Sequence, residues 1–130
     1  MKVLRNRAGI AATLLLFVAA ACATAPRAAE YLDPARLAKL VADPTVPYLL
    51  LDVRSGPEFA GGHIPSAINI PYDEIADRMP TVGADTMIIV YCASGHRAGL
   101  AAQTLAEMGF SNVANFGAVG RWPGEMVSDG

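Results

Sequence analysis

Two runs constrain this chain most: Tyr48 to Val53, apolar except for Asp52, and Met87 to Tyr91, apolar throughout. A half-exposed strand alternates apolar and polar residues. Runs filled at both alternate positions are expected of strands buried on both faces of a parallel sheet. Ile68 to Ile70 and Val113 to Phe116 are further short strand candidates. Between them lie helical stretches. Asp33 and Pro34 form an N-cap and first-turn pair, with Leu37, Leu40 and Val41 on one helix face and Pro44 and Pro47 ending it. From Ala98 to Met108, the residues Leu100, Ala101, Leu105 and Met108 repeat at helical spacing, and Gly109 supplies a stop. Gly117 to Trp122 is expected to form a short helical turn halted by Pro123. This alternation predicts an α/β domain with a central, mainly parallel sheet flanked by helices on both faces.

With 130 residues and 13.6 kDa there is room for one domain of ordinary size. The apolar fraction of 53% and mean hydropathy of +0.34 are raised by the N-terminus. There Lys2, Arg5 and Arg7 precede an uncharged run from Ala8 to Ala25, the layout of a secretory signal. Its most apolar part, Leu14 to Val18, is shorter than the roughly 20 residues of a spanning helix. Cleavage of an Ala-x-Ala type would end at Ala21 or Ala23, and a lipoprotein-type cut would fall just before Cys22. Ala19 to Cys22 resembles a bacterial lipobox with Ala in place of the usual first Leu, which makes Cys22 a lipidation candidate. The expected organisation is a signal over 1–21, a tether over 22–30 and a domain over 31–130, exported to a bacterial periplasm. Removing residues 1–21 takes away three basic side chains and leaves 7 − 12 = −5. Such a charge attracts neither nucleic acid nor anionic lipid.

Only Cys22 and Cys92 carry thiols, too few for a disulfide scaffold and without the paired spacing of a structural zinc site. Cys92 follows a buried strand and precedes a helix, and open α/β sheets bind ligands at the carboxyl ends of their strands. Unpaired N–H groups and the helix dipole stabilise a thiolate there. Gly95 lets successive N–H groups turn inward, and His96 and Arg97 add positive charge. The expected product is a nucleophilic sulfur in an anion cradle. Against this stand a buried inert thiol, or a Cys22–Cys92 disulfide if Cys22 is left free.

The segment from Val46 to Trp122 resembles the single-domain rhodaneses, which are thiosulfate sulfurtransferases. The likeness is carried by Leu51-Asp52-Val53-Arg54 with Glu58 and Phe59, by Gly62-His63-Ile64-Pro65 with Ala67, Ile68 and Asn69, by Val90-Tyr91-Cys92 with Gly95 and Arg97, and by Gly117 through Trp122. In that family four residues between the cysteine and the last loop position go with sulfur transfer, and five with the related phosphatases. Here the four are Ala93, Ser94, Gly95 and His96. The resemblance implies attack by Cys92 on thiosulfate, departure of sulfite and transfer from a Cys92 persulfide to a thiol or cyanide, with no cofactor and no metal. Ala93 to Arg97 would bind substrate. A persulfide carrier that depends on a partner enzyme, and a phosphatase or arsenate reductase on the same loop, are the alternatives.

Asp52 and Arg54 match the family's Asp-x-Arg element and are expected to support the pocket through an ion pair. His63 suits a ring bond to a backbone carbonyl better than general-base work. Trp122 is expected to pack in the core or at the pocket mouth. Pro123 and Gly124 depart from the longer terminal helix common in the family.

Overall fold

The computed structural model describes residues 25–129. The signal and the lipidation candidate Cys22 lie outside the described residues. Helix α1 spans Pro34–Ala42, strand β1 Leu49–Asp52, helix α2 Gly56–Gly61 and strand β2 Ile68–Asn69. Helix α3 follows at Ile75–Arg78, strand β3 at Ile88–Cys92, helix α4 at His96–Glu107 and strand β4 at Val113–Ala118. Two 3-10 turns, Ala28–Leu32 and Val119–Arg121, flank this set.

The four strands are all parallel, in the order β2-β1-β3-β4. This is the α/β architecture the alternating pattern predicts. Strand pleating explains the double apolar filling, since successive side chains go to opposite faces. Leu50, Ile89, Tyr91, Ala114 and Phe116 join Leu37 and Leu40 of α1 on one face. Leu51, Ile88, Val90 and Cys92 join Ile75 of α3 and Ala98, Ala101 and Leu105 of α4 on the other. All five residues of β3 are buried, as expected of one of the two inner strands.

Several local expectations need correction. Helix α4 starts at His96, so the last two residues of the expected loop form its first turn. Its buried face is Ala98, Ala101 and Leu105, whereas Leu100 and Met108 are exposed at 41% and 42%. The two alanines let the helix lie close to the sheet beside Leu105, and Leu100 and Met108 are turned outward. Helices α2 and α3, at six and four residues, are too short to leave a clear apolar period. The packed chain also begins before Tyr31: Ala28 is buried, its N–H donates to Asn112 Oδ1 at 2.8 Å, and Asn112 Nδ2 donates to the Pro26 carbonyl at 3.0 Å.

The α4 face yields a stability ranking. Ala101→Leu overfills the seam and should cost about 1–3 kcal/mol, whereas Leu100→Ala should change stability by no more than about 0.5 kcal/mol. Denaturant unfolding of both variants measures the ranking, and the reverse order would contradict this packing.

Candidate active site

Cys92 closes β3 and is fully buried. Three residues later Gly95 takes φ +98°, a left-handed conformation open to glycine at little cost, and the chain turns into α4. A Cβ on Gly95 would lie 3.3 Å from Gly117 Cα, so the backbones of the loop and β4 approach each other closely. The turn aims amides at the sulfur. Gly95 N–H donates to Cys92 Sγ at 2.9 Å and Ala98 N–H does so at 3.4 Å. Both bonds run from N–H to sulfur, the polarity that a negatively charged sulfur strengthens. Ala93, Ser94 and His96 are exposed around this cradle.

Arg97 is engaged elsewhere. Its two terminal nitrogens donate to Glu58 Oε1 and Oε2 at 2.8 and 3.0 Å. Glu58 is itself fixed by a capping box at the start of α2: Ser55 Oγ accepts the Glu58 N–H, and Glu58 Oε1 accepts from Ser55 N and Oγ. The Arg97 guanidinium and the Ser55 bonds hold the Glu58 carboxyl down at about 2, against its ordinary 4.5. Glu58 raises Arg97 in return.

Asp52 and Arg54 form a buried pair beside the cradle, at the carboxyl end of β1. Arg54 Nε donates to both carboxylate oxygens at 3.0 Å, and a terminal nitrogen donates to Asp52 Oδ2 at 2.6 Å and to the Gly62 carbonyl at 2.6 Å. Arg54 also lies over the Tyr91 ring, 5.8 Å from its centroid. Its hydrogen bond to Asp52 raises the guanidinium further. Tyr91 hydroxyl accepts the Ile64 N–H at 3.0 Å, and burial pushes its phenol above the usual range. The Asp52–Arg54 pair therefore ties the Gly62–Ile64 segment to the sheet, and Arg54 bonds to that segment, not to the sulfur. His63 Nδ1 meets the Phe59 carbonyl at 2.9 Å and its ring stacks on Phe59. Trp122 packs partly buried against the α1-side core.

Of the candidate residues, the structure thus brings together Cys92, the Gly95 amide and the first turn of α4. Glu58 was quoted in the sequence without a role, although the Ser-x-x-Glu spacing of a capping box was readable there. Asn115 gave no signal of its own. Its side chain reaches the loop, with Nδ2 donating to the Gly95 carbonyl at 3.1 Å and Oδ1 accepting the Gly117 N–H at 2.8 Å. No cluster of metal-ligating side chains occurs among the described residues, and none of their helices is long and apolar enough to cross a membrane.

Comparison with known proteins agrees with this geometry. The Rhodanese-like domain family matches residues 33–118. A protein of Allochromatium vinosum named Sulfurtransferase is 36% identical over 84 residues, covering 65% of this chain and 78% of that one. Thiosulfate sulfurtransferase PspE of Escherichia coli is 38% identical over 69 residues, 52% of this chain and 66% of the relative, just under two thirds of its length. Among solved structures, a rhodanese with anions from E. coli superposes with a TM-score of 0.59 at 31% identity, over 62% of this chain and 98% of that one. The family match over residues 33–118, together with these relatives and the superposition on a rhodanese, places this chain in the rhodanese-like sulfurtransferase family.

Proposed function

We propose that this protein moves sulfane sulfur from thiosulfate, or a donor of the same chemistry, to a thiophilic acceptor through a persulfide on Cys92. The observation that carries this is the Sγ of Cys92 under the Gly95 and Ala98 amides, in a turn with four residues between Cys92 and Arg97. In the first step the Cys92 thiolate forms a bond to the outer sulfur of thiosulfate, and the sulfur–sulfur bond of the donor breaks. Sulfite leaves with the bonding pair, and Cys92 carries a persulfide anion. In the second step cyanide or a thiolate attacks the outer persulfide sulfur, and Cys92 recovers its thiolate. The relatives named for sulfur transfer, one of them for thiosulfate, support this donor class.

Anion binding falls to the backbone amides, with Ser94 and His96 exposed beside them. Arg97, held by Glu58, acts mainly by fixing the first turn of α4 and adds part of its charge to the site. A small turn around a buried sulfur favours a small anion over an aryl phosphate. Export to the periplasm, with Cys22 as a lipid attachment point, is the setting we infer from the N-terminal pattern.

Intact mass measurement after incubation with thiosulfate should show one added sulfur atom, with release of sulfite, and neither in Cys92→Ser. A wild-type protein that gains no sulfur from thiosulfate but accepts it from a partner's persulfide would mark a carrier. Cys92-dependent aryl phosphate hydrolysis would mark a phosphatase.

The Glu58–Arg97 pair has a pH signature. Glu58 has a folded value below its unfolded one, so its stabilisation is complete above about 4.5 and is lost as pH falls toward 2. Solvent reaches both partners, which limits the contribution to about 0.5–1 kcal/mol. Glu58→Gln keeps a capping side chain and removes the charge. Denaturant unfolding should find this variant less stable by that amount at neutral pH, with the gap closing between pH 4.5 and 2. A gap that stays constant or widens on acidification would contradict the assignment.

A further inference from the structure

Strand β4 carries a polar residue on the face that packs against α4. Ala114 and Phe116 point to the opposite, α1-side core, and Asn115 stands between them. Pairing with β3 slips at this point, from Val90 opposite Asn115 to Tyr91 opposite Gly117. The slip skips Phe116, and Gly117 takes φ +98°. The Asn115 amide spans the distorted site. Its orientation is fixed by chemistry, because the Gly95 carbonyl can only accept and the Gly117 N–H can only donate.

The Gly95 carbonyl receives two donors, Asn115 Nδ2 at 3.1 Å and the Gly99 N–H of α4 at 3.0 Å. In a trans peptide the carbonyl and the following N–H point in opposite directions. Holding the Gly95 oxygen toward Asn115 and α4 therefore directs the His96 N–H out of the helix N-terminus, the end at which Cys92 Sγ accepts from Ala98. The Gly95 N–H, on the other side of the same residue, is already on Sγ at 2.9 Å. Asn115 also holds Gly117, whose Cα sets the clearance for Gly95.

We propose that Asn115 is a positioning residue for the sulfur site: by gripping the Gly95 carbonyl and the Gly117 N–H it orients the amides around Cys92, and so sets the reactivity of Cys92 and the binding of the sulfur-bearing anion. The anion part of this rests on the sulfurtransferase function proposed above. Both side-chain hydrogen bonds of Asn115 run to backbone groups and neither to Sγ, so it acts through the backbone it holds.

The test compares Asn115→Ala, which removes both bonds without adding charge, with Asn115→Asp, which keeps an acceptor for Gly117 and turns an oxygen toward the Gly95 carbonyl. The pH profile of Cys92 alkylation by iodoacetamide is the primary readout, with thermal melting alongside. In folded Asn115→Ala the profile should move upward by about one pH unit, and alkylation at neutral pH should slow by up to about tenfold. Asn115→Asp should move it further, and Asn115→Leu, which also removes both bonds without adding charge, serves as the test variant if the alanine protein does not fold. The KM for thiosulfate should rise in each. A folded Asn115→Ala with a wild-type profile overturns the proposal, whatever its melting temperature, and so does a shift seen in Asn115→Asp alone, which would be the effect of added charge. Alkylation needs no sulfur donor, so the two proposals fail separately. A wild type that takes no sulfur from thiosulfate while the variant profile moves would refute the donor and leave the bracing role standing. An active wild type with an unmoved variant profile would refute only the bracing role.

Discussion

The fold and the site both depend on how β3 ends. A strand buried along its whole length delivers Cys92 into the interior, and the chain must then turn into α4 within three residues. That turn works only because Gly95 accepts a left-handed conformation and passes within contact distance of Gly117. Its consequence is electrostatic as well as steric. A tight strand-to-helix turn leaves N–H groups without helical acceptors, and the nearest acceptor for two of them is the cysteine sulfur.

The positive character of the site therefore comes mainly from oriented amides. Arg97 shares its charge with Glu58, and Arg54 shares its own with Asp52. These two pairs do different work. Asp52 and Arg54 are buried and satisfy each other and the Gly62 carbonyl, so they tie β1 to the segment before β2. Glu58 and Arg97 are partly exposed and join the first turn of α2 to the first turn of α4. Among the described residues 7 basic side chains face 12 acidic ones, and in such a domain a small anion is best held by dipoles at short range.

The sheet was legible in the sequence because strands buried on both faces leave short continuous apolar runs such as Tyr48 to Val53 and Met87 to Tyr91, bounded by turn residues. The strand-to-helix turn at Cys92 was legible because a buried apolar run ends there and Gly95 and a helical period follow at once. The face of α4 was not: Leu100 and Met108 fit the apolar period as well as Ala98 does, and only the closeness of the helix to the sheet selects the small residues. Pairings across the chain were hidden for a similar reason. Nothing local to Arg97 points to Glu58, 39 positions earlier, and nothing local to Asn115 points to Gly95. Asn112 reaching back to Pro26 and Ala28 likewise turned part of an expected tether into packed structure.

The most direct test of the whole account is to follow the backbone amide resonances of the loop by nuclear magnetic resonance as thiosulfate is added. If sulfur is loaded onto Cys92 inside this cradle, the Gly95, His96 and Ala98 amides shift together, stay shifted after free thiosulfate is dialysed away, return when cyanide removes the sulfur, and keep no shift after dialysis in Cys92→Ser. Lasting shifts centred elsewhere in the domain, or loop shifts that survive dialysis in Cys92→Ser, would contradict it.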